Sequence, residues 1–193
     1  MNGEETAERI ALRQRLGSGA RFDAPNAPSE ALQLARRGTA YFARILNELT
    51  DDALDEPSQI TGYDRRHVIA FVSYEARIQA ECLALVRQGE ALIQYIPIEL
   101  DAPQVREGAT LPARALRHLF EHSAIHLNVE WRDLDNHSWN RRIGSASTPV
   151  TVRDLPMVRA RSLWSNSLNI GGAVHARYLP ESVRKLMIAG QPA

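Results

Sequence analysis

The chain has 193 residues, and its 23 basic side chains balance 23 acidic ones to a formal net charge of zero. That length is typical of one domain and is enough to bury a core without covalent staples. The neutral balance leaves no electrostatic footprint for nucleic acid or an anionic membrane. No run approaches the ~18 consecutive apolar residues of a membrane span. Cys82 is the only cysteine, which excludes an intrachain disulfide, a zinc-cysteine cluster and a CxxC redox pair. Lys185 is the only lysine, close to the C-terminus, so Schiff-base chemistry in a desolvated pocket is not expected. The opening stretch MNGEETAERIALRQRLG lacks an apolar leader core, and its glutamates argue against a transit peptide. A cytoplasmic protein is expected.

Residues 1–28 read as an N-terminal arm: a short charged helix followed by the Gly/Pro-rich stretch GSGARFDAPNAP. The remainder, 29–193, reads as a single helical domain. Ser29 is placed to cap a first helix, along which Leu32, Ala35, Phe42, Ile45, Leu46 and Leu49 share one face. LTDDALDEPSQITGY is a loop, closed by Pro57, Ser58 and Gly62. A second helix is predicted from about Asp64 to Gly89, with Val68, Phe71, Val72, Ile78, Cys82, Leu85 and Val86 inward and Gly89 as its C-cap. IQYIPIELDAPQVREGAT reads as irregular. Thr110 and Pro112 open a third helix to about Leu134, and two short extended runs around Gly144, within 139–152, suggest a small hairpin. A fourth helix is predicted from near Thr151 to Gly171, and a short last helix after Pro180. Four long amphipathic helices with long connections predict an all-α fold, a four-helix bundle with crossovers.

Three helices carry unusual residues. Glu75 lies inside the apolar stripe of the second, where a carboxylate must be ion-paired, neutralised or facing a cavity. On the fourth, Arg159, Ser162, Asn166 and Asn169 fall three, four and three apart and form one polar stripe. Ser and Asn are weak helix formers, so a purely solvated face would more readily use Glu, Lys or Arg. On the third, His118, His122, His126 and Glu130 recur every fourth residue. Adjacent pairs of that row could share a metal ion, although all four cannot converge on one, and a hydrogen-bonded helix face is the plainer reading. His67, with Arg65 and Arg66, sits where the second helix begins, a corner suited to a substrate carboxylate or to ordinary capping.

Three segments then resemble a known family: ARRGTAYFARILNELTDDALDEPSQITGYDRRHVIAF, VREGATLPARALRHLFEHSAIHLNVEWRDL and LPMVRARSLWSNSLNIGG. They are similar to the N-terminal domain of thiol-dependent maleylpyruvate isomerases of the DinB-like superfamily, over about Arg15 to Leu186. The resemblance implies a DinB-like four-helix bundle. It also implies a three-ligand metal site, with a histidine in an HVxAH motif and a Glu-x3-His pair in RxREVWxHxxDL. Phe71, Ser162 and Asn166 stand at those three positions here, and Asn169 replaces the motif's aspartate. Phenylalanine cannot ligate, and neutral Ser and Asn are poor replacements for carboxylate and imidazole, so no metal cofactor is expected.

Two functions compete. In the first, the chain is an isomerase-like enzyme without the family's metal, acting on a small keto acid by isomerase- or lyase-type proton transfer in a remodelled pocket. Glu75 would move the proton, and Asn166 with Ser162 would stabilise developing charge. Arg159, His67, Arg66, Phe71 and Asn169 would bind the substrate. A low-molecular-weight thiol stays compatible with this reading. In the second, the chain is a non-catalytic relative that binds a small ligand or a partner subunit. A thiol transferase with a metal relocated to His122, His126 and Glu130 is a minor third option. The expected partner is a small acid, not nucleic acid or membrane, and a homodimer is left open. What separates the first two is whether Glu75 faces a cavity or is locked in a salt bridge.

Overall fold

The computed structural model describes residues 22–145, 148–171, 179, 181, 183 and 184. Four long helices form the bundle: α1 (Ser29–Glu48), α2 (Arg65–Gln88), α4 (Ala113–Asp133) and α5 (Leu155–Asn169). A short helix, α3 (Pro103–Ala109), lies between α2 and α4, and a two-stranded antiparallel hairpin, β1 (Arg142–Gly144) and β2 (Pro149–Thr151), precedes α5. The fold is therefore helical with one small sheet, as the residue pattern predicts. Of the expected last helix, Glu181, Val183 and Arg184 are helical, and of the expected arm only residues 22–28 are among those described.

α2 packs along α4 and α1 along α5, while α2 and α5 touch more lightly and α1 and α4 least. The close α1–α5 approach is set at Gly38, where an added Cβ would lie 3.0 Å from Trp164 Nε1 and 3.1 Å from Leu163 Cβ. Trp164 stacks on Tyr41 with ring centroids 5.1 Å apart and donates to the Leu34 carbonyl at 3.2 Å. The core fills with Leu32, Leu83, Leu127, Trp139 and Leu155 on one side and Phe42, Ile69, Leu116, Phe120 and Leu163 on the other.

The helix ends correct three expectations. Ser29 does not cap α1; the helix begins directly after Pro28, whose carbonyl accepts from Leu32 N at 2.9 Å. Thr151 closes β2 instead of opening a helix, and a 3-10 turn at Val152–Asp154 leads into α5 at Leu155, with Pro156 in its first turn. The segment read as irregular contains α3, with Pro103 in its first turn. The other ends match their signals. Asp64 caps α2 by accepting from His67 N at 2.9 Å, and Gly89 takes the left-handed conformation (φ 84°) that ends it.

Candidate functional site

α2 and α5 run antiparallel across the bundle. At one end Arg65 Nε donates to the Ile170 carbonyl at 2.8 Å; farther along, Arg159 Nη1 donates to the Val72 carbonyl at 2.7 Å. This register brings Glu75 opposite Arg159 and Ser162, places Phe71 level with the Ser162–Asn166 turn, and puts His67 toward Asn169. The stripes that looked separate in sequence are thus the two walls of one seam.

Its centre is a buried ion pair. Arg159 Nη1 lies 2.6 Å from Glu75 Oε2, and the arginine is only 1% exposed. The Glu75 side chain is 11% exposed. Burial pushes the Glu75 carboxyl above its usual range; the Arg159 charge and hydrogen bonds from Ser162 and Arg159 oppose the shift. Burial pulls Arg159 down in turn, opposed chiefly by Glu75. Glu75 is therefore locked in a salt bridge, one of the three arrangements its place in the stripe allowed. Arg159 still has donors to spare: Nη2 is buried with no hydrogen-bond partner among the described residues.

Along α5 the polar side chains bond mainly to one another. Asn166 Nδ2 donates to the Ser162 carbonyl at 3.0 Å and lies 3.3 Å from its Oγ. Asn169 Nδ2 donates to Asn166 Oδ1 at 3.1 Å. Phe71 is half-buried and packs on the apolar cluster around Phe42 and Leu163.

The corner at the start of α2 is not part of this centre. His67 is eight residues from Glu75, about 12 Å along the helix axis. Its Nδ1 lies 2.8 Å from Asp64 Oδ1. Arg66 is bound to Asp55 and donates to the Leu111 carbonyl at 2.8 Å, and Arg65 donates to the Ala53 carbonyl at 2.9 Å. These arginines tie loops to the bundle, which accounts for the double arginine without a substrate. On α4, Glu130 is held by Arg87 at 3.2 Å, with His126 Nε2 at 3.6 Å; His122 and His126 keep their ring centroids 6.3 Å apart. Among the described residues no three His, Cys, Asp or Glu side chains are grouped to hold a metal ion.

Two residues at the seam carry no sequence prediction. Tyr95, from the connection after α2, is 7% exposed, and burial followed by the Glu75 charge raises its phenol to about 12. Gln79, one turn beyond Glu75, is fully buried, and its side chain is the hydrogen-bonding neighbour that opposes the rise at Tyr95. The sequence offers no alternation that marks the tyrosine, because the exposed Leu92 and Ile96 beside buried Ile93 and Tyr95 are apolar too.

The family model described as the mycothiol maleylpyruvate isomerase N-terminal domain matches residues 35–166. No functionally curated protein matches the sequence. The crystal structure of the mycothiol-dependent maleylpyruvate isomerase is similar with a TM-score of 0.74 at 27% identity, over 84% of this chain and 68% of that one. A single-site variant of that enzyme gives the same TM-score and coverage at 28% identity. YfiT from Bacillus subtilis, a probable metal-dependent hydrolase with an unusual four-helix bundle topology, gives a TM-score of 0.59 at 13% identity, over 79% of this chain and 91% of its own. At that identity the likeness is one of fold.

Proposed function

The chain belongs to the mycothiol maleylpyruvate isomerase N-terminal domain family, and from that premise we propose that it is an isomerase-like protein that binds a small organic acid without the metal-centred step that the motif resemblance implies. The observation that carries this reading is the Glu75–Arg159 pair. It holds the carboxylate that a proton-transfer enzyme would need free, and it leaves Arg159, the natural anchor for an acid, with an unshared N–H edge.

A family-type metal does not fit the residues present. Phe71 has no lone pair to offer, and Ser162 and Asn166 are neutral and hydrogen-bonded to each other. These three side chains therefore offer no ligand set for a metal, nor for a thiol delivered on one.

A second reading keeps the chain an enzyme, and one observation favours it. A carboxyl raised by burial, with the Ser162 hydroxyl beside it, is poised to exchange a proton. In that case Glu75 would shuttle the proton of a bound keto acid while Arg159 held its carboxylate.

Calorimetric titration with pyruvate and maleate, beside a turnover assay on maleylpyruvate with and without thiol and zinc, separates the two. The binding reading expects heat from at least one acid and no turnover, with Glu75→Gln altering affinity by only a few fold. Turnover that vanishes in Glu75→Gln would establish the second reading. No binding of any small organic acid, aromatic acids included, together with no turnover, sinks both.

A further inference from the structure

α1 and α4 form the sparsest of the four seams in the bundle, on the side away from the α2–α5 seam. The cause is side-chain size: Ala40 and Ala43 of α1 face Ala124 of α4 and leave a cleft of about 280 Å³ between the helices. An apolar cavity of roughly 150 Å³ already accommodates benzene, so this cleft has room for a substituted six-membered ring. Arg159 and Trp131 line it.

Those two side chains make it more than an apolar gap. Trp131 is 2% exposed and Arg159 1%, and Trp131 Nε1 and Arg159 Nη2 are both buried without an acceptor among the described residues. Buried donors are nearly always satisfied, so two at one cleft identify what its occupant must supply. Neither an indole N–H nor a guanidinium can accept a hydrogen bond, so the occupant must bring acceptor atoms, and a carboxylate brings two on one group. The arginine uses Nη1 for Glu75, and the planar fork lets Nη2 serve a second acceptor. Arg36, the other cation lining the cleft, is closed off by Asp23 through two bonds of 2.6 Å. Arg159 is thus the cation with a donor to give.

Resting on the small-acid reading above, we propose that the α1–α4 cleft binds an aromatic monocarboxylate, its ring between Ala43 and Ala124 and its carboxylate on Arg159 Nη2 and Trp131 Nε1. Charge-assisted bonds are the stronger kind, and the alanine walls select a flat apolar body over a short hydrophilic acid.

The test is calorimetric titration of the full chain with benzoate and with its uncharged counterpart benzamide. Benzoate is expected to bind, with benzamide weaker by at least about tenfold. Ala124→Leu, a helix-compatible change that fills the cleft, should abolish benzoate binding, and Ala43→Leu does the same from the opposite wall. Trp131→Phe keeps the ring, removes the N–H and should weaken binding on the order of tenfold. Circular dichroism of each variant verifies the fold. Benzoate that binds both filled variants unchanged, or benzamide that binds as tightly, overturns the proposal. So does the absence of benzoate binding: if pyruvate or maleate binds nevertheless, only the cleft assignment falls, and if no acid binds, the small-acid reading falls with it.

Discussion

Replacing Glu75 by alanine probes the centre of the molecule most directly. The two charges sit 2.6 Å apart at their closest atoms, and Arg159 is almost wholly excluded from water. At an effective dielectric of about 20, unit charges near 4 Å attract by roughly 4 kcal/mol. Removing one member of such a pair leaves the other charge uncompensated and typically costs about 3–5 kcal/mol. Glu75→Ala should therefore lower the unfolding free energy by about 4 kcal/mol. In a chain of this size that is a fall in Tm on the order of 8–16 °C. Glu75→Gln keeps one acceptor for Arg159 and should recover about 1 kcal/mol of the loss. The decisive member of the set is Glu75→Leu with Arg159→Met, which removes both charges and keeps apolar bulk. Such exchanges are often neutral or stabilising, so it should be more stable than Glu75→Ala. Urea unfolding followed by circular dichroism at neutral pH reads all three. A loss below about 1 kcal/mol in the alanine variant, or a double variant as unstable as the single, would refute a desolvated pair at this seam.

Three further outcomes follow from other features. Tyr95 ionises at about 12 in the folded chain against its ordinary 10.0, so the native state keeps a proton that the unfolded state releases. Stability tied to that phenol is lost as pH rises through the window between those values, and Tyr95→Phe should flatten the alkaline fall of the urea midpoint; an unchanged slope contradicts the burial assigned to the ring. Gly38→Ala gains helix propensity but presses its methyl on Trp164, which is held by the Leu34 carbonyl and has little freedom to retreat. Overpacking of about 1–3 kcal/mol should outweigh the roughly 1 kcal/mol gained, giving a lower Tm; a higher one would mean that α1 and α5 stand farther apart. Finally, Phe71→His, Ser162→Glu and Asn166→His together install the ligand types of the family's motifs on this backbone. The triple variant should take up about one zinc per chain by elemental analysis, as catalytic sites with three protein ligands and a water do; a variant that binds none would mean that these positions are not the family's ligand positions.

The long helices were legible because their apolar residues repeat with the helical period, and Asp64 and Gly89 mark the ends of α2 by their own chemistry. α3 was missed because seven residues carry too little periodicity to outweigh the surrounding prolines, although Pro103 at its first turn was a usable sign. Ser29 misled because a serine before an apolar run suggests a cap, whereas Pro28 already supplies the first carbonyl of the helix. The site divides in the same way. Glu75 and the Arg159–Asn169 stripe stand out from the pattern of their own helices. That one answers the other depends on the antiparallel register of α2 and α5, and periodicity along one helix carries no information about its neighbour. Arg66 and His67 looked like an anion corner because the folding of the preceding loop back onto Arg66 through Asp55, and the arrival of the Leu111 carbonyl 45 positions away, are not written in the helix's own pattern.

The pairing of α1 with α5 bears on how the chain is made. A helix formed at Ser29–Glu48 finds its main packing partner only in Leu155–Asn169, so the face of Gly38 and Tyr41, which meets Trp164, waits through more than a hundred residues of synthesis. The closing bonds are equally non-local: Trp164 reaches Leu34 across 130 positions, and Arg65 reaches Ile170 across 105. α2 and α4, neighbours early in the nascent chain, can zip first, while α1 is held as an unfinished surface until the ribosome delivers the last long helix. A ribosome stalled before residue 155 would therefore display three of the four long helices with one sticky seam open, the species that chaperones and aggregation compete for.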